Sequence, residues 1–439
     1  MMRVGSGRSL TQFDRRSALK TLGCHALVLP ASMSSAFART GGRKAAFRNG
    51  LCASEFAAPL LDGHVSFSDG KRVATNLLTL QRLMMAHGSN EIFVRMGSGG
   101  GADGKGFLSA MRRAALAKAV GLPLNPELLL CARYGDMGGQ PEPDFSAYPT
   151  IKLSGAWHQL CLDEMRSAVR EYAAITARRI VATGAEINVW DIGNEVEFGI
   201  AGVALPPMVP TIGGPGWQYR APDRVDPEIG KMTLGRFLAL STDDQVAWGK
   251  AHLWNHVGSI LAAAAEGIRS VVPSARFATH TSTVAAMMPE VFVGFHEAVE
   301  ASGFNAEALG MSFYPTSTSR IEARYEKFKE ATVRASSRIG KPVYIAEYAY
   351  AAGPVTYGGE NWANPIEGYP CTPEGQARFT HDIVAWGVGK NLLSGIRPWA
   401  PDYVDGSWQG MALFDRSDRG LSLARPALSV IASASRKAL

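Results

Sequence analysis

Two acidic residues stand at the ends of apolar runs. Glu195 closes Trp190-Asp191-Ile192-Gly193-Asn194-Glu195, and Glu347 closes Val343-Tyr344-Ile345-Ala346-Glu347. Each run reads as a short strand that stops on a carboxylate. Two such strands, far apart in the chain, suggest two acids facing each other across one site. Paired carboxylates are what cleavage of a glycosidic bond needs: one protonates the leaving oxygen while the other acts at the opposite face of the sugar. Other polar residues fall at the ends of comparable runs: Arg95 after Ile92-Phe93-Val94, then Arg133 with Tyr134 and Asp136, His280, Tyr314 and Trp399. Arg95 is the most informative of these, because an apolar strand does not bury a cation without a partner for it.

The elements that must position these residues repeat along the chain. Eight apolar runs read as strands: Phe47–Ala53, Glu91–Met96, Glu127–Tyr134, Glu186–Asn194, Arg276–His280, Ala308–Tyr314, Val343–Glu347 and Leu392–Ala400. Helical patterns lie between and after them, at Arg72–His87, Phe107–Val120, Gln159–Thr183, Asp244–Val271, Val284–Ala301, Ile321–Ile339, Glu374–Val388 and Ala424–Arg436. Strands apolar on both faces, each followed by a helix, indicate a parallel sheet covered by helices. Eight such units predict a closed (β/α)8 TIM barrel, with the polar residues gathered on its C-terminal rim. The alternative, a doubly wound open sheet, would carry a glycine-rich phosphate turn after the first strand, where this chain has Leu51-Cys52-Ala53-Ser54-Glu55.

Two stretches interrupt the pattern. Ser98-Gly99-Gly100-Gly101-Ala102-Asp103-Gly104 resembles a phosphate loop in composition only, since no Gly-Lys-Ser/Thr ends it, and reads as a rim loop. Ile200–Thr242, with its prolines, glycines, Trp217 and Tyr219, falls between the fourth strand and its helix, on the face where such barrels keep their active sites. Trp217, Tyr219, Tyr357, Trp362 and Trp408 are loop aromatics suited either to sugar platforms or to loop packing. His252-x-x-x-His256 puts two imidazoles on one helical face but lacks the glutamate of a zincin motif. Nothing in the sequence calls for a cofactor, a resident metal or a specific calcium site.

A chain of 439 residues fits one barrel spanning residues 39–439, with the long insertion at about 200–242. The net charge of +6 points away from nucleic acid, because much of the excess sits in the first 38 residues (Arg3, Arg8, Arg15, Arg16 and Lys20 against Asp14) and no basic stripe follows. Asp14-Arg15-Arg16-Ser17-Ala18-Leu19-Lys20, a mildly apolar stretch and Ala36-Phe37-Ala38 have the form of a twin-arginine export signal cut near Ala38. The expected product is a monomer in the periplasm or outside the cell, without a membrane anchor once the signal is removed. Cys52, Cys131, Cys161 and Cys371 then remain; three full pairings are possible, and their spacings match no zinc pattern.

Several ordered stretches resemble glycoside hydrolase family 53, the endo-β-1,4-galactanases of clan A. Gly193-Asn194-Glu195 and Ala346-Glu347 sit where clan A enzymes carry acid/base and nucleophile. Arg133-Tyr134-Gly135-Asp136 through Gly139-Gln140-Pro141-Glu142-Pro143 is similar to the family's His-Tyr-Ser-Asp segment and later Gln-x-x-Pro. Gly310-Met311-Ser312-Phe313-Tyr314-Pro315, Tyr369-Pro370-Cys371-Thr372-Pro373-Glu374-Gly375-Gln376, Trp399-Ala400-Pro401 and Ala412-Leu413-Phe414-Asp415 resemble further family stretches. The likeness runs from about Phe47 to Asp415. It departs at Arg133, which replaces the family's His, at the glycine-rich loop, at the insertion after Glu195, and at Ala400, which replaces the acid of Trp-Glu-Pro.

The resemblance implies a secreted retaining glycosidase acting on a plant-type polysaccharide, with galactan or arabinogalactan first. Another β-glycan, or a barrel that only binds glycans, is the alternative. Glu347 would be the nucleophile, kept ionised by Arg95 and Tyr314. Glu195 would be the acid, its pKa raised by the charge of Glu347. Asn194 would bind the sugar 2-hydroxyl and Trp399 would floor the ring. His280 would contact sugar or Glu195, or else be a satisfied core histidine, and Asp136 and Arg133 would also serve the substrate.

Overall fold

A computed structural model describes residues 46–99, 106–205, 224–417 and 420–437. The twin-arginine stretch, most of the glycine-rich loop, and Trp217 and Tyr219 lie outside the described residues. Eight parallel strands form one sheet: β1 (Arg48–Asn49), β2 (Ile92–Met96), β3 (Leu124–Leu128), β4 (Trp190–Ile192), β5 (Phe277–Thr281), β6 (Ala308–Phe313), β7 (Val343–Tyr348) and β8 (Leu393–Pro398). Their order is β1-β8-β7-β6-β5-β4-β3-β2, so from β2 to β8 every strand pairs with its neighbour in sequence, and β1 pairs with β8. The remaining edge is laced by Asn90 N–H to Asn49 O at 3.1 Å and Asn49 N–H to Asn90 Oδ1 at 2.7 Å. This is the (β/α)8 barrel that the strand count predicts.

The helices follow the strands: α1 (Leu77–Ala86), α2 (Phe107–Val120), α3 (Leu162–Val181), α4 (Trp254–Arg269), α5 (Pro289–Ala301), α6 (Arg324–Ile339), α7 (Pro373–Gly389) and α8 (Val430–Lys437). The core lies between strands and helices, where the outward residues of β7 (Val343, Ile345 and Tyr348) pack with Phe328 of α6 and Phe379, Ile383 and Val384 of α7. The start of α7 explains one sequence motif. The Thr372 hydroxyl caps Gly375 N–H at 3.1 Å, Pro373 takes the first turn, and a Cβ on Gly375 would collide with the Pro370 carbonyl oxygen.

Several boundaries differ from the sequence reading. β1 is two residues long, not seven. β3 is Leu124–Leu128 and not Glu127–Tyr134, because Asn125 and Glu127 are buried polar residues on it, which disguised the strand. The single helix expected over Asp244–Val271 is a short helix, Thr242–Trp248, then a π-helical turn, Gly249–Leu253, then α4. A four-stranded sheet that the pattern did not suggest joins Ser66–Ser68 and Val73–Ala74 to Phe414–Arg416 and Leu421–Ala424. Of the insertion, the described end forms two short helices, Pro227–Lys231 and Leu234–Leu238. Among the described residues no helix is long and apolar enough to cross a membrane.

Candidate active site

Strict alternation along β7 would send Glu347 to the helix side with Val343 and Ile345. A bulge prevents this. The register shifts between Ile345 and Tyr348, so both Ala346 and Glu347 intervene between two outward residues. The extra residue turns the Glu347 carboxylate away from the helices. There it is 3% exposed, accepts a hydrogen bond from Tyr314 Oη at 2.5 Å, and forms an ion pair with Arg95.

Arg95 is the hub. Its Nε donates to Glu127 Oε1 at 2.8 Å and its Nη2 to Asn194 Oδ1 at 2.8 Å, besides meeting Glu347. The partner that an apolar strand demanded for this cation is therefore Glu127, on the adjacent β3, together with Glu347. Burial alone would weaken the proton's hold on Arg95. The charges of Glu127, Tyr134 and Glu55, with the Glu127 hydrogen bond, together more than offset that, so the guanidinium stays charged.

Glu195 follows β4 in the left-handed conformation, φ 51°, just after Gly193 at φ 76°. Gly193 has no substitute here, since a Cβ would strike the Val196 side chain. The Glu195 carboxylate is 7% exposed and its Oε2 accepts Met137 N–H at 3.2 Å. Its pKa is pushed up to about 8, first by burial and then by the charges of Asp136 and Glu197. The expected source of the shift, the charge of Glu347, is not among the leading causes, because Arg95 lies against that carboxylate. Glu197 is fully buried, accepts Ser282 N–H at 3.0 Å and the Ser282 hydroxyl, and is itself pushed up to about 7 by burial.

Asn194 is oriented without ambiguity. Its Oδ1 receives Arg95 and His280 Nε2 (3.0 Å), and its Nδ2 donates to Gly135 O at 2.7 Å. The amide's second N–H remains a donor. His280 is fully buried below, with Nδ1 3.9 Å from both Glu127 and Asp191. It hydrogen-bonds Asn194 and is placed as the core-histidine alternative expects. Asp136 is buried, its Oδ1 accepts Gly138 N–H at 2.7 Å, and its charge helps to raise the Glu195 pKa. Arg133 is exposed, apart from this constellation. Trp399 is half-buried, with its edge contacts on Trp408 (centroids 4.4 Å) and Phe56 (5.8 Å).

Below the carboxylates the barrel interior is ionic. Arg397 reaches Glu127 (3.2 Å), Asp191 (3.2 Å) and Asn125 (3.0 Å), and lies 3.4 Å over the Phe93 ring. Arg48 binds Glu91 (2.8 Å) and Asn125 (3.1 Å), and the Tyr344 hydroxyl donates to Glu91 at 2.8 Å. Glu127, Asp191 and His280 come close enough together to suggest metal ligands, but Arg397 and Arg95 already bind the two carboxylates. The histidines at 252 and 256 do not combine: His252 meets Asp226 at 3.0 Å and His256 is buried. Among the described residues no disulfide joins Cys52, Cys131, Cys161 and Cys371, and Cys52 and Cys131 are buried.

Sequence reasoning missed Glu55, Glu127, Asp191, Glu197, Arg397 and the role of Tyr357, whose ring meets Trp362 (5.0 Å) and Trp408 (5.6 Å) while its hydroxyl feels the charges of Asp136 and Glu195. Only the Glu-x-Glu spacing at 195 and 197 hinted at any of them.

Residues 239–428 match Glycosyl hydrolase family 53. An uncharacterised protein encoded in the 5′ region of bgaB of Niallia circulans is 22% identical over 330 residues, covering 71% of this chain and 76% of its own. Among solved structures, the Ignisphaera aggregans GH53 catalytic domain superposes with a TM-score of 0.61 at 19% identity, over 89% of this chain and 97% of that one. A fungal β-1,4-galactanase gives 0.63 at 16% identity, over 89% and 99%. The matched segment carries His280, Tyr314, Glu347 and Trp399, and the barrel supplies Arg95, Asn194 and Glu195 to the same rim. Over residues 239–428 the chain thus resembles glycoside hydrolase family 53, and its barrel is the fold of these two solved structures.

Proposed function

We propose that this protein is an exported, retaining glycosidase that cleaves β-1,4-galactan or the galactan of arabinogalactan. One observation carries the mechanism: of the two rim carboxylates, Glu195 is made a weak acid by burial and two acidic neighbours, while Glu347 is gripped by a cation and a phenol. Such divided environments support this division of roles. Glu347 attacks the anomeric carbon as Glu195 gives its proton to the departing glycosidic oxygen. The C–O bond breaks and a glycosyl ester forms on Glu347. Glu195, now a carboxylate, takes a proton from water, and the resulting hydroxide oxygen displaces Glu347. The remaining Asn194 N–H serves the 2-hydroxyl, and Trp399 packs against the ring. Export rests on the twin-arginine pattern of Asp14–Lys20.

The galactan preference rests on the family likeness and on the solved β-1,4-galactanase. Arg133 and Ala400, where the family resemblance breaks, favour a shifted specificity as the second reading. The test is a panel of purified β-1,4-galactan, arabinogalactan, β-glucan, mannan and xylan, followed by new reducing ends, with Glu347→Ala beside the wild type. Galactan cleaved to short oligomers, and not by the variant, is the expected result. Cleavage of another glycan alone would refute the galactan assignment, and equal activity in Glu347→Ala would refute the nucleophile.

A further inference from the structure

Glu55 lies just beyond β1, between two tethers. The backbone N–H of Ser54 donates to Asp402 Oδ2 at 2.9 Å and its hydroxyl to Oδ1 of the same carboxylate. Phe56 stacks on Tyr403 (4.2 Å, 13°) and meets Trp399 edge-on. The backbone is thus held on both sides of Glu55, next to the residue that meets Trp399. Its Oε1 is shut off from solvent and has no hydrogen-bond partner among the described residues. Arg95 presents the complement. Its Nε and Nη2 are engaged, while Nη1 is likewise buried and without a partner. The Glu55 charge acts on Arg95, yet the two do not close into an ion pair. A stranded acceptor and a stranded donor, each out of water, are costly unless something fills the space. A sugar hydroxyl does both tasks at once, accepting from a guanidinium and donating to a carboxylate.

We infer that Glu55 is a specificity-determining residue that, with Arg95, brackets one ring hydroxyl of the sugar bound over Glu347, a hydroxyl other than the 2-hydroxyl served by Asn194. The inference rests on the glycosidase reading above for the placement of that sugar. It adds an acceptor that the paired-acid mechanism does not use and that selects among sugars by the position and orientation of one hydroxyl.

The experiment pairs Glu55→Gln and Glu55→Ala with aryl β-glycosides of the sugar the enzyme prefers, together with their 3-, 4- and 6-deoxy analogues. On the parent glycoside, kcat/KM is expected to fall about tenfold to a hundredfold in Glu55→Ala and less in Glu55→Gln. On one deoxy analogue, wild type and variants are expected to converge to within about threefold. Glu55→Gln is also expected to keep the wild-type Tm, since the buried oxygen has no partner to lose. An undiminished rate on the parent, an equal fall on every analogue, or a clear drop in Tm for Glu55→Gln would overturn the inference. Should glucosides or mannosides prove the preferred sugar, the galactan reading fails while the same comparison still judges Glu55. If no aryl glycoside turns over, calorimetric titration of a Glu347→Ala background with oligosaccharides decides the matter: weakened binding on adding Glu55→Ala supports the inference, and unchanged affinity overturns it.

Discussion

The Tyr314 hydroxyl donates to Glu347 Oε2 at 2.5 Å, from the end of one strand to the end of its neighbour. Burial, and then the nearby charge of Glu195, hold the phenol well above its usual range, so it remains a donor at any working pH. A hydrogen bond to a charged group contributes about 1.5–3 kcal/mol. Tyr314→Phe is therefore expected to lower kcat by about tenfold to a hundredfold with little change in KM, read from steady-state kinetics. A loss confined to KM would place Tyr314 in substrate binding instead.

With Glu195 as the proposed acid, Asp136 is expected to help set the alkaline edge of activity. Its charge helps to raise Glu195 to about 8, and the acid must be protonated to act. Removing that charge makes ionisation of Glu195 easier, so its pKa falls. The alkaline limb of kcat/KM should move to lower pH in Asp136→Asn, by about one unit. A limb that stays in place would detach Asp136 from the acid.

Stability should carry the same signature. Glu195 and Glu197 keep their protons in the fold up to about 8 and about 7, whereas the unfolded chain releases them near the ordinary value of 4.5. The folded state binds more protons across that window, so this contribution is complete below about 4.5 and is lost as pH rises through 7 and 8. Glu197→Gln removes one of the two groups. Between about pH 5 and pH 9 the wild type should lose on the order of 3 kcal/mol more than the variant in denaturant titrations. Parallel curves would contradict the protonated state of Glu197 in the fold.

Much of this architecture was legible because alternating apolar strands and helices announce a barrel, and because Asn194-Glu195 and Glu347 close two of its strands. The inward aim of Glu347 was not, since Val-Tyr-Ile-Ala-Glu read by strict alternation faces the helices; the bulge reverses it. The ionic interior was also hidden. Asn125, Glu127 and Asp191 each look like a flaw in an apolar strand, and only the barrel's closure shows Arg397, from the far end of the chain, meeting all three. Pairing between strands leaves no periodic trace in the sequence, so His280 could be read either as a sugar or Glu195 contact or as a core histidine, and its bond to Asn194 was not legible.

That interior makes its own prediction. Arg397→Met leaves Glu127 and Asp191 buried with less charge compensation. Removing one partner of a buried ion pair costs about 3–5 kcal/mol, which chemical denaturation would register. A change below about 1 kcal/mol would show the Arg397 ion pairs to be incidental.

The most direct test follows the first-formed product on β-1,4-galactan by proton NMR, before mutarotation. Glu347 acting as nucleophile and Glu195 as acid predicts the β-anomer first, and loss of turnover in Glu347→Ala. An α-anomer released first would mean that water attacks directly, and would contradict the roles assigned to both carboxylates.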